Sequence, residues 1–371
     1  MEIKVNRDSL FKSISKVQSI IEKRSNMPIL SMILITADAG VINISATDLE
    51  ISMQQTIEAN VIVSGSITIS GRKLFEILKE SKSQEIYIKE KDNNWIFISD
   101  DKTRYNLACM PAEEYPVFVE PEDVSMAEME CSVLTEMINK TIYAVTLEEA
   151  GYKLSGVYTE KIIKDEKGFL RMVSTDGHRL SLVDKSIDKL DNIKINKGVM
   201  IPKKGLMELN KLASEGEKIS LGFKENNCVA KNENSLIVIR LLESKFPDYR
   251  EVISIELKNR ISIKRNDLLD GMKKMMILSS ESSRGVQITL ENNNMELVSI
   301  NPDLGDVKDN LEIDYSDDRI ELGFNSKYFV DVLQAMESED VIIGFLDNSS
   351  PCVLQGEDDK GFIGLIMPMR I

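Results

Sequence analysis

The chain has 371 residues, which is too long for one ordinary hydrophobic core and predicts two or three domains. Hydrophobic residues make up 42% and charged residues 29%, a composition typical of a folded globular protein and not of a disordered one. The formal net charge of -15 argues against a nucleic-acid partner unless the cations are segregated onto one surface.

The first ten residues lack the apolar stretch that is typical of a signal peptide. Residues 1–10 alternate charged and apolar side chains, and no later apolar run approaches the roughly 18 residues of a membrane helix. We therefore expect a cytoplasmic protein with no membrane partner. The cysteines lie far apart and form no Cys-x-x-Cys pair, so neither a disulfide framework nor a zinc site is predicted for Cys109, Cys131, Cys228 and Cys352.

The most informative feature is an internal repeat, which occurs three times with a period of about 120 to 130 residues. Each repeat opens with a short alternating strand and an amphipathic helix, at residues 3–21, 129–145 and 261–278. Alternating strands that end in a polar turn follow at residues 45–53, 174–183 and 299–307. A second helix is predicted at residues 70–81, 201–215 and 324–338.

More strands and a closing apolar stretch complete each repeat, so that it contains two helices and about eight strands. This content predicts an α+β fold of three tandem, structurally similar domains, with the helices on one side of antiparallel sheets. Acidic or proline-containing linkers place the domain boundaries at residues 1–124, 125–250 and 251–371.

Positive charge is concentrated on the predicted helices. In the first helix Lys12, Lys16 and Lys23 fall on one face, while the apolar residues fall on the opposite face. In the second, Arg72 and Lys79 point away from the apolar side. A few lysines on one solvated helix are ordinary, but cations at matching places of a threefold repeat indicate a surface that attracts phosphate. No base-reading motif is present, so the expected contact is with a nucleic-acid backbone and is independent of sequence.

Catalytic motifs are weak or missing. Ser174, Asp176 and His178 lie close together in sequence, but a catalytic triad requires convergence in space, and no Gly-x-Ser-x-Gly elbow supports one. The chain also lacks a Walker A loop, a Gly-x-Gly-x-x-Gly cradle and EF-hand spacing. We expect no catalytic residue, no metal and no cofactor.

Several short motifs, in order along the whole chain, resemble those of the bacterial DNA polymerase III beta clamp family. They are Met27-Pro28-Ile29-Leu30, Ala46-Thr47-Asp48-Leu49-Glu50, Thr175-Asp176-Gly177-His178-Arg179-Leu180, Phe246-Pro247-Asp248-Tyr249 and Met367-Pro368-Met369-Arg370.

The resemblance implies a sliding clamp, a processivity factor that is not an enzyme. Two chains would form a head-to-tail homodimer and close a pseudo-sixfold ring around double-stranded DNA. Helices would line the hole and contact DNA independently of sequence. The implied partners are the replicative DNA polymerase, the clamp loader complex, and other clamp-binding replication and repair proteins. The cations expected to face DNA are Lys12, Lys16, Lys23, Arg24, Arg72, Lys79, Lys203 and Lys204.

Two further sites follow from the same resemblance. The dimer interface is expected to involve Arg104, Tyr105, Leu107, Ile277 and Leu278, with Lys73 and Asp306 in flanking ion pairs. Partner peptides are expected to bind an apolar pocket formed by Leu154, Thr175, Gly177, His178, Leu180, Pro247, Val252, Met367, Pro368 and Met369, with Arg179 and Arg370 at its edges. The alternative hypothesis is an acidic, repeat-built protein-interaction scaffold that does not encircle DNA.

Overall fold

The computed structural model describes residues 1–21, 26–116, 118, 121–145, 155–254, 256–280 and 284–370. Its packing contacts divide the chain into two compact units. Unit 1 comprises Met1–Cys131, Asp191–Lys194 and Met207–Leu241, and unit 2 comprises Ser132–Leu190, Ile195–Leu206 and Leu242–Ile371. The boundaries at residues 124 and 250 therefore stay a prediction.

Each third of the chain repeats one series of elements. The first third contains β1 (Glu2–Asn6), α1 (Arg7–Val17), β2 (Met32–Asp38), β3 (Val41–Thr47), β4 (Ile51–Glu58), β5 (Asn60–Val63), β6 (Gly65–Ser70), α2 (Gly71–Glu80), β7 (Glu85–Lys91), β8 (Trp95–Ser99) and β9 (Arg104–Ala108). The middle third contains β10 (Met126–Glu130), α3 (Cys131–Ile142), β11 (Gly156–Lys164), β12 (Lys167–Thr175), β13 (Arg179–Lys185), β14 (Val199–Pro202), α4 (Lys203–Ala213), β15 (Lys218–Lys224), β16 (Asn227–Lys231) and β17 (Ser235–Arg240).

The last third follows a short helix, α5 (Arg250–Ile253). It contains β18 (Asn259–Lys264), α6 (Arg265–Leu278), β19 (Gly285–Glu291), β20 (Asn294–Asn301), β21 (Gly305–Glu312), β22 (Ile320–Asn325), α7 (Ser326–Ala335), β23 (Asp340–Phe345), β24 (Cys352–Gln355) and β25 (Phe362–Ile366). The predicted α+β repeat of two longer helices and about eight strands is confirmed within the described residues.

Helix α1 illustrates how the local sequence sets an element. The side chain of Asn6 accepts hydrogen bonds from the backbone N–H groups of Asp8 and Ser9, which caps the helix. The predicted continuation to residue 21 is wrong. The backbone N–H of Ile20 donates to the carbonyl of Val17, three residues earlier, so the α-helical hydrogen-bond pattern has ended and the chain forms a tighter turn. Lys23, which was expected on this helix, lies outside the described residues.

The sheets are antiparallel, and each belongs to a single unit. Unit 1 contains a five-stranded sheet in the order β5-β1-β7-β8-β9 and an eight-stranded sheet in the order β10-β15-β16-β17-β4-β3-β2-β6. Unit 2 contains an eight-stranded sheet in the order β14-β11-β12-β13-β25-β24-β23-β18 and a four-stranded sheet in the order β21-β20-β19-β22. Strands β9 and β21 are therefore sheet edges.

The helices pack their apolar faces against these sheets. Leu10, Ile14 and Val17 of α1 are buried, and α1 packs against β3 and β4. The rings of Phe11 and Phe75 stack with centroids 5.0 Å apart and join α1 to α2. In unit 2, α6 packs against α7, β20 and β21. No helix among the described residues is long and apolar enough to cross a membrane.

Candidate functional site

The β12–β13 turn is built by side-chain hydrogen bonds to its own backbone. Asp176 Oδ1 accepts from the backbone N–H groups of His178 and Arg179, both at 3.0 Å. Thr175 Oγ1 accepts from the N–H of Gly177 at 3.1 Å and donates to the carbonyl of Arg179 at 2.6 Å. Gly177 adopts φ +86°, a left-handed conformation that glycine tolerates best. The turn thus presents Gly177 and His178 to solvent on a fixed backbone.

The carboxyl-terminal segment lies directly beside this turn. Strand β25 pairs with β13, and the next residue, Met367, donates its N–H to the carbonyl of His178 at 2.8 Å. Met369 donates to the carbonyl of Gly323 in β22, also at 2.8 Å. The backbone N–H groups of Met367 and Met369 therefore anchor the tail to two different segments, the β12–β13 turn and strand β22. The side chain of Met367 remains 39% exposed beside the turn.

An apolar cluster of unit 2 contains two more of the predicted pocket residues. Leu180 is buried in this cluster, and Val252 of α5 packs against it as a partly buried residue. Phe246 also packs there and stacks on Tyr158 with ring centroids 5.0 Å apart. Pro247 follows Phe246 and is exposed, as is Arg370 at the end of the tail. Leu154 lies outside the described residues.

Arg179 is buried behind the turn, whereas the sequence analysis placed it at the edge of the pocket. Its guanidinium donates to Asp176 at 2.9 Å, to Asp331 of α7 at 2.6 Å and to the backbone carbonyl of Tyr143 at 2.7 Å. It also lies 4.5 Å from the ring centroid of Tyr328. Burial lowers the pKa of Arg179, but the hydrogen bond to Asp331 and the charge of Asp176 outweigh burial and raise it. Arg179 therefore remains charged and ties the turn to α7.

The geometry around His178 does not assemble a triad. Ser174 is fully buried and donates its hydroxyl to the backbone carbonyl of Thr141 at 2.5 Å. Asp176 holds the backbone N–H groups of His178 and Arg179 and the guanidinium of Arg179. Neither partner is therefore oriented as a triad requires. No group of three or more His, Cys, Asp or Glu side chains in the described part of the chain is arranged to hold a metal ion.

The predicted DNA-facing cations differ in how available they are. Lys12 and Lys79 are exposed on α1 and α2. Lys16 forms a 2.7 Å ion pair with Glu215, and Arg72 forms a 3.0 Å ion pair with Glu76.

In unit 2, Lys203 and Lys204 begin α4. Lys204 is exposed, whereas Lys203 is half-buried, and burial together with the nearby charge of Arg179 lowers the pKa of Lys203. Lys203 is consequently less accessible to a phosphate than the exposed Lys204. Lys23 and Arg24 lie outside the described residues.

The predicted interface residues lie on two sheet edges and two helices. Arg104, Tyr105 and Leu107 belong to β9, the edge of the five-stranded sheet. Asp306 belongs to β21, the edge of the four-stranded sheet.

The interface helix is α6, which packs against β21. Its residue Ile277 is 73% exposed, and Leu278 is partly exposed. Lys73 on α2 already pairs with Glu76 of the same helix at 2.8 Å. The two apolar side chains are thus available to a second copy of the chain, whereas Lys73 would have to exchange partners.

Unit 2 contains a buried charge network that was not predicted from the sequence. Lys140 of α3 pairs with Glu136 at 2.5 Å and with Asp359 at 2.7 Å, and both Lys140 and Asp359 are almost fully buried. The spacing of Glu136 and Lys140, four residues apart on a helix, was a detectable signal. No sequence signal pointed to Asp359, because it lies far from Lys140 along the chain.

Comparison with known proteins gives one consistent result. Residues 1–119 match the family model for the DNA polymerase III beta subunit N-terminal domain, residues 128–248 the central domain and residues 250–370 the C-terminal domain. The chain is 28% identical to the beta sliding clamp of Pseudomonas putida, over 100% of both chains.

Solved structures give the same match. The chain is similar to Caulobacter crescentus pol III beta, with a TM-score of 0.93 and 28% identity over 100% of both chains. It is equally similar to the Bartonella birtlesii sliding clamp bound to griselimycin, with a TM-score of 0.94 and 28% identity over 100% of both chains.

Proposed function

The chain belongs to the DNA polymerase III beta subunit family, and we propose that it is a DNA sliding clamp, a processivity factor that encircles duplex DNA as a homodimeric ring. The observation that carries the proposal is the threefold repeat, which three successive domain models of this family match from residue 1 to residue 370. The proposed role is topological and non-catalytic. It places the protein in the cytoplasm, where bacterial DNA is replicated.

The proposed DNA contact is weak and independent of sequence. In unit 1 the stacked pair of Phe11 and Phe75 joins α1 to α2, and the ion pair of Lys16 with Glu215 joins α1 to the segment that follows α4. These helices carry exposed cations and no base-reading motif. A closed ring needs no strong phosphate contacts for retention, so it can slide while it remains linked to DNA.

Head-to-tail pairing is supported by the properties of β9 and β21. Each is an edge strand, and an unpaired edge is a natural template for a strand of another chain. The exposed charge of Arg104 on β9 is opposite to that of Asp306 on β21, which favours pairing of β9 with β21 of a second copy. The exposed side chain of Ile277 would be buried in such an interface. A heterologous contact of this kind closes only if its rotations sum to a full turn.

Partner binding is proposed at the β12–β13 turn and the carboxyl-terminal tail. Met367, Pro368 and Met369 are exposed or partly exposed beside the turn, and such apolar side chains suit the apolar anchor residues of a peptide. His178 would form part of the wall. A peptide held there would raise the effective concentration of a polymerase at the primer end. The other proposed occupants are the clamp loader complex and further replication and repair proteins, and the loader would supply ATP hydrolysis.

Retention on DNA tests the proposed function. The protein is loaded onto nicked circular plasmid with a cognate loader and ATP, the circle is cut, and bound protein is measured by gel filtration. We expect retention on the circle and loss after linearisation, because only a ring slides off a free end. Equal retention on both forms would indicate ordinary contact binding. Failure to load with a loader proven on another clamp would favour the scaffold hypothesis.

A further inference from the structure

We propose that Glu76, Glu208 and Glu215 are built-in competitors of DNA phosphate, which occupy helix cations of unit 1 and keep the contact with DNA weak. The inference rests on the proposed clamp function. It assigns to these three carboxylates the regulation of the DNA-facing surface.

The first carboxylate neutralises two cations of α2. Glu76 Oε1 lies 3.0 Å from Arg72 Nε, and Glu76 Oε2 lies 2.8 Å from Lys73 Nζ. The hydrogen bond from Lys73, followed by that from Arg72, lowers the pKa of Glu76. Glu76 is therefore charged at neutral pH and holds one cation with each oxygen.

The other two carboxylates lie in the middle of α4 and in the turn that follows it. Glu215 lies 2.7 Å from Lys16 Nζ of α1. Glu208 lies 2.8 Å from Lys211 Nζ, and its second oxygen accepts a 2.6 Å hydrogen bond from Ser19 Oγ. Because Glu208 is buried and held by Ser19, it is a fixed counter-charge for Lys211.

The ion pairs of Glu208 and Glu215 border open space that a phosphate could enter. Lys16 and Glu215 line a cleft of about 710 Å³ and an adjoining one of about 480 Å³. Lys12 lines both clefts and, among the described residues, has no ion-pair partner. A phosphate group of DNA can therefore bind Lys12 directly, but it must displace the carboxylate of Glu215 to bind Lys16.

The physical consequence is a low salt dependence of DNA binding. Each cation that contacts a phosphate contributes about 0.9 to the slope of log K against log salt concentration. A cation that exchanges one anionic partner for another gains little free energy, because exposed ion pairs are worth only about 0–1 kcal/mol in water. The predicted DNA-facing cations Arg72 and Lys16, together with Lys211 of α4, are thus expected to contribute little to the slope, which leaves the protein free to slide.

The test is the binding of a short blunt DNA duplex by the full chain, measured by fluorescence anisotropy over a series of salt concentrations. The triple variant Glu76→Gln, Glu208→Gln and Glu215→Gln keeps the side-chain shapes and removes the charges. We expect the triple variant to bind at least about tenfold more tightly than the wild type at low salt. Its slope of log K against log salt concentration should be steeper by about 0.9 for each cation that gains a phosphate contact.

A matched control removes three exposed carboxylates of unit 1 that lie outside α1, α2 and α4, through Glu58→Gln, Glu113→Gln and Glu225→Gln. It changes the net charge equally, so we expect only a small rise in affinity with an unchanged slope. Equal slopes for the triple variant and this control would overturn the inference. The variant Glu76→Gln alone carries the same test if the triple variant does not fold, because Glu76 is at the surface.

The plasmid experiment separates this inference from the proposed function. Short-duplex binding requires no loader, whereas retention on a circle reports encirclement. Wild-type protein that is retained on circles, with equal slopes in both variants, would refute the role of the carboxylates and leave the clamp intact. Wild-type protein that is not lost on linearisation would refute the clamp itself.

Discussion

Arg179 and Asp331 form a 2.6 Å ion pair that ties the β12–β13 turn to helix α7. The two residues lie 152 positions apart in the sequence. Because Arg179 also binds Asp176 and the carbonyl of Tyr143, one guanidinium fixes the position of the turn that we propose as a wall of the peptide site. We infer that Arg179 positions the site without contacting the peptide.

Replacement of Arg179 with Lys is expected to weaken peptide binding at least about tenfold, because an ammonium group cannot reproduce the planar, multiply bonded guanidinium. The measurement is the affinity for a peptide from the carboxyl terminus of the cognate polymerase. Lys327→Gln is the control, since Lys327 also pairs with Asp331 but its side chain is 45% exposed. Wild-type affinity in Arg179→Lys would contradict the positioning role.

Replacement of Gly177 with Ala tests the conformation of the turn. Gly177 has φ +86° and Gly40 has φ +83°, and an added Cβ would meet nothing within 4 Å at either position. Each substitution is therefore expected to lower the free energy of unfolding by about 1 kcal/mol through backbone strain alone. Only Gly177→Ala should weaken peptide binding, because Gly40 lies elsewhere. Equal peptide affinities in the two variants would argue against the proposed site.

Removal of residues 367–371 is expected to weaken peptide binding without changing the oligomeric state of the protein. The tail supplies Met367 and Met369, whose N–H groups anchor it to the carbonyls of His178 and Gly323. Binding can be measured by calorimetry and native mass by light scattering. Full peptide affinity in the truncated protein would refute the assignment of the tail to the site.

Replacement of both Ile277 and Leu278 with Ala is expected to shift the native mass from dimer toward monomer. Loss of two apolar side chains that the proposed interface would bury should weaken dimerisation by at least roughly tenfold. Ile163→Ala is the control, because Ile163 is 81% exposed and lies on β11. A dimer as stable as the wild type would show that the interface lies elsewhere.

Replacement of Asp359 with Asn should expose the contribution of the buried pair with Lys140. Burial raises the pKa of Asp359, but hydrogen bonds from Lys140 and Ser338 outweigh burial and hold it below its ordinary value of 3.8. Because the pKa is lower in the folded state, the carboxylate stabilises the fold above about pH 4, and this stability is lost as pH falls through the folded pKa.

At neutral pH the Asp359→Asn substitution is expected to cost about 3 kcal/mol, since it leaves a buried cation partly unpaired. The difference from wild type in thermal unfolding should narrow below about pH 4. Asp358→Asn, at an exposed neighbouring position, should leave the melting temperature unchanged at both pH values. If the difference in melting temperature between Asp359→Asn and the wild type stayed constant with pH, titration of Asp359 would be excluded as its cause.

The sequence determined much of the fold because its main signals are local. The spacing of Leu10, Ile14 and Val17 identifies the buried face of α1, and the same order of strands and helices occurs three times. Motifs spread along the whole chain were sufficient to indicate the family. The partners of Arg72 and Lys73 could also have been found, because Glu76 follows them at helical spacing.

Only the tertiary structure decided which charges meet across long sequence separations. The lysines of α1 looked like an unpaired stripe, yet Lys16 pairs with Glu215. The burial of Arg179 against Asp331 was equally invisible in the sequence. Periodicity tells which face of an element is buried, but the partner across that face depends on how sheets and helices from distant segments are brought together. For this reason the composition predicted an acidic protein and the helical spacing of lysines predicted cationic helices, whereas the fold decided which of those cations remain available to DNA.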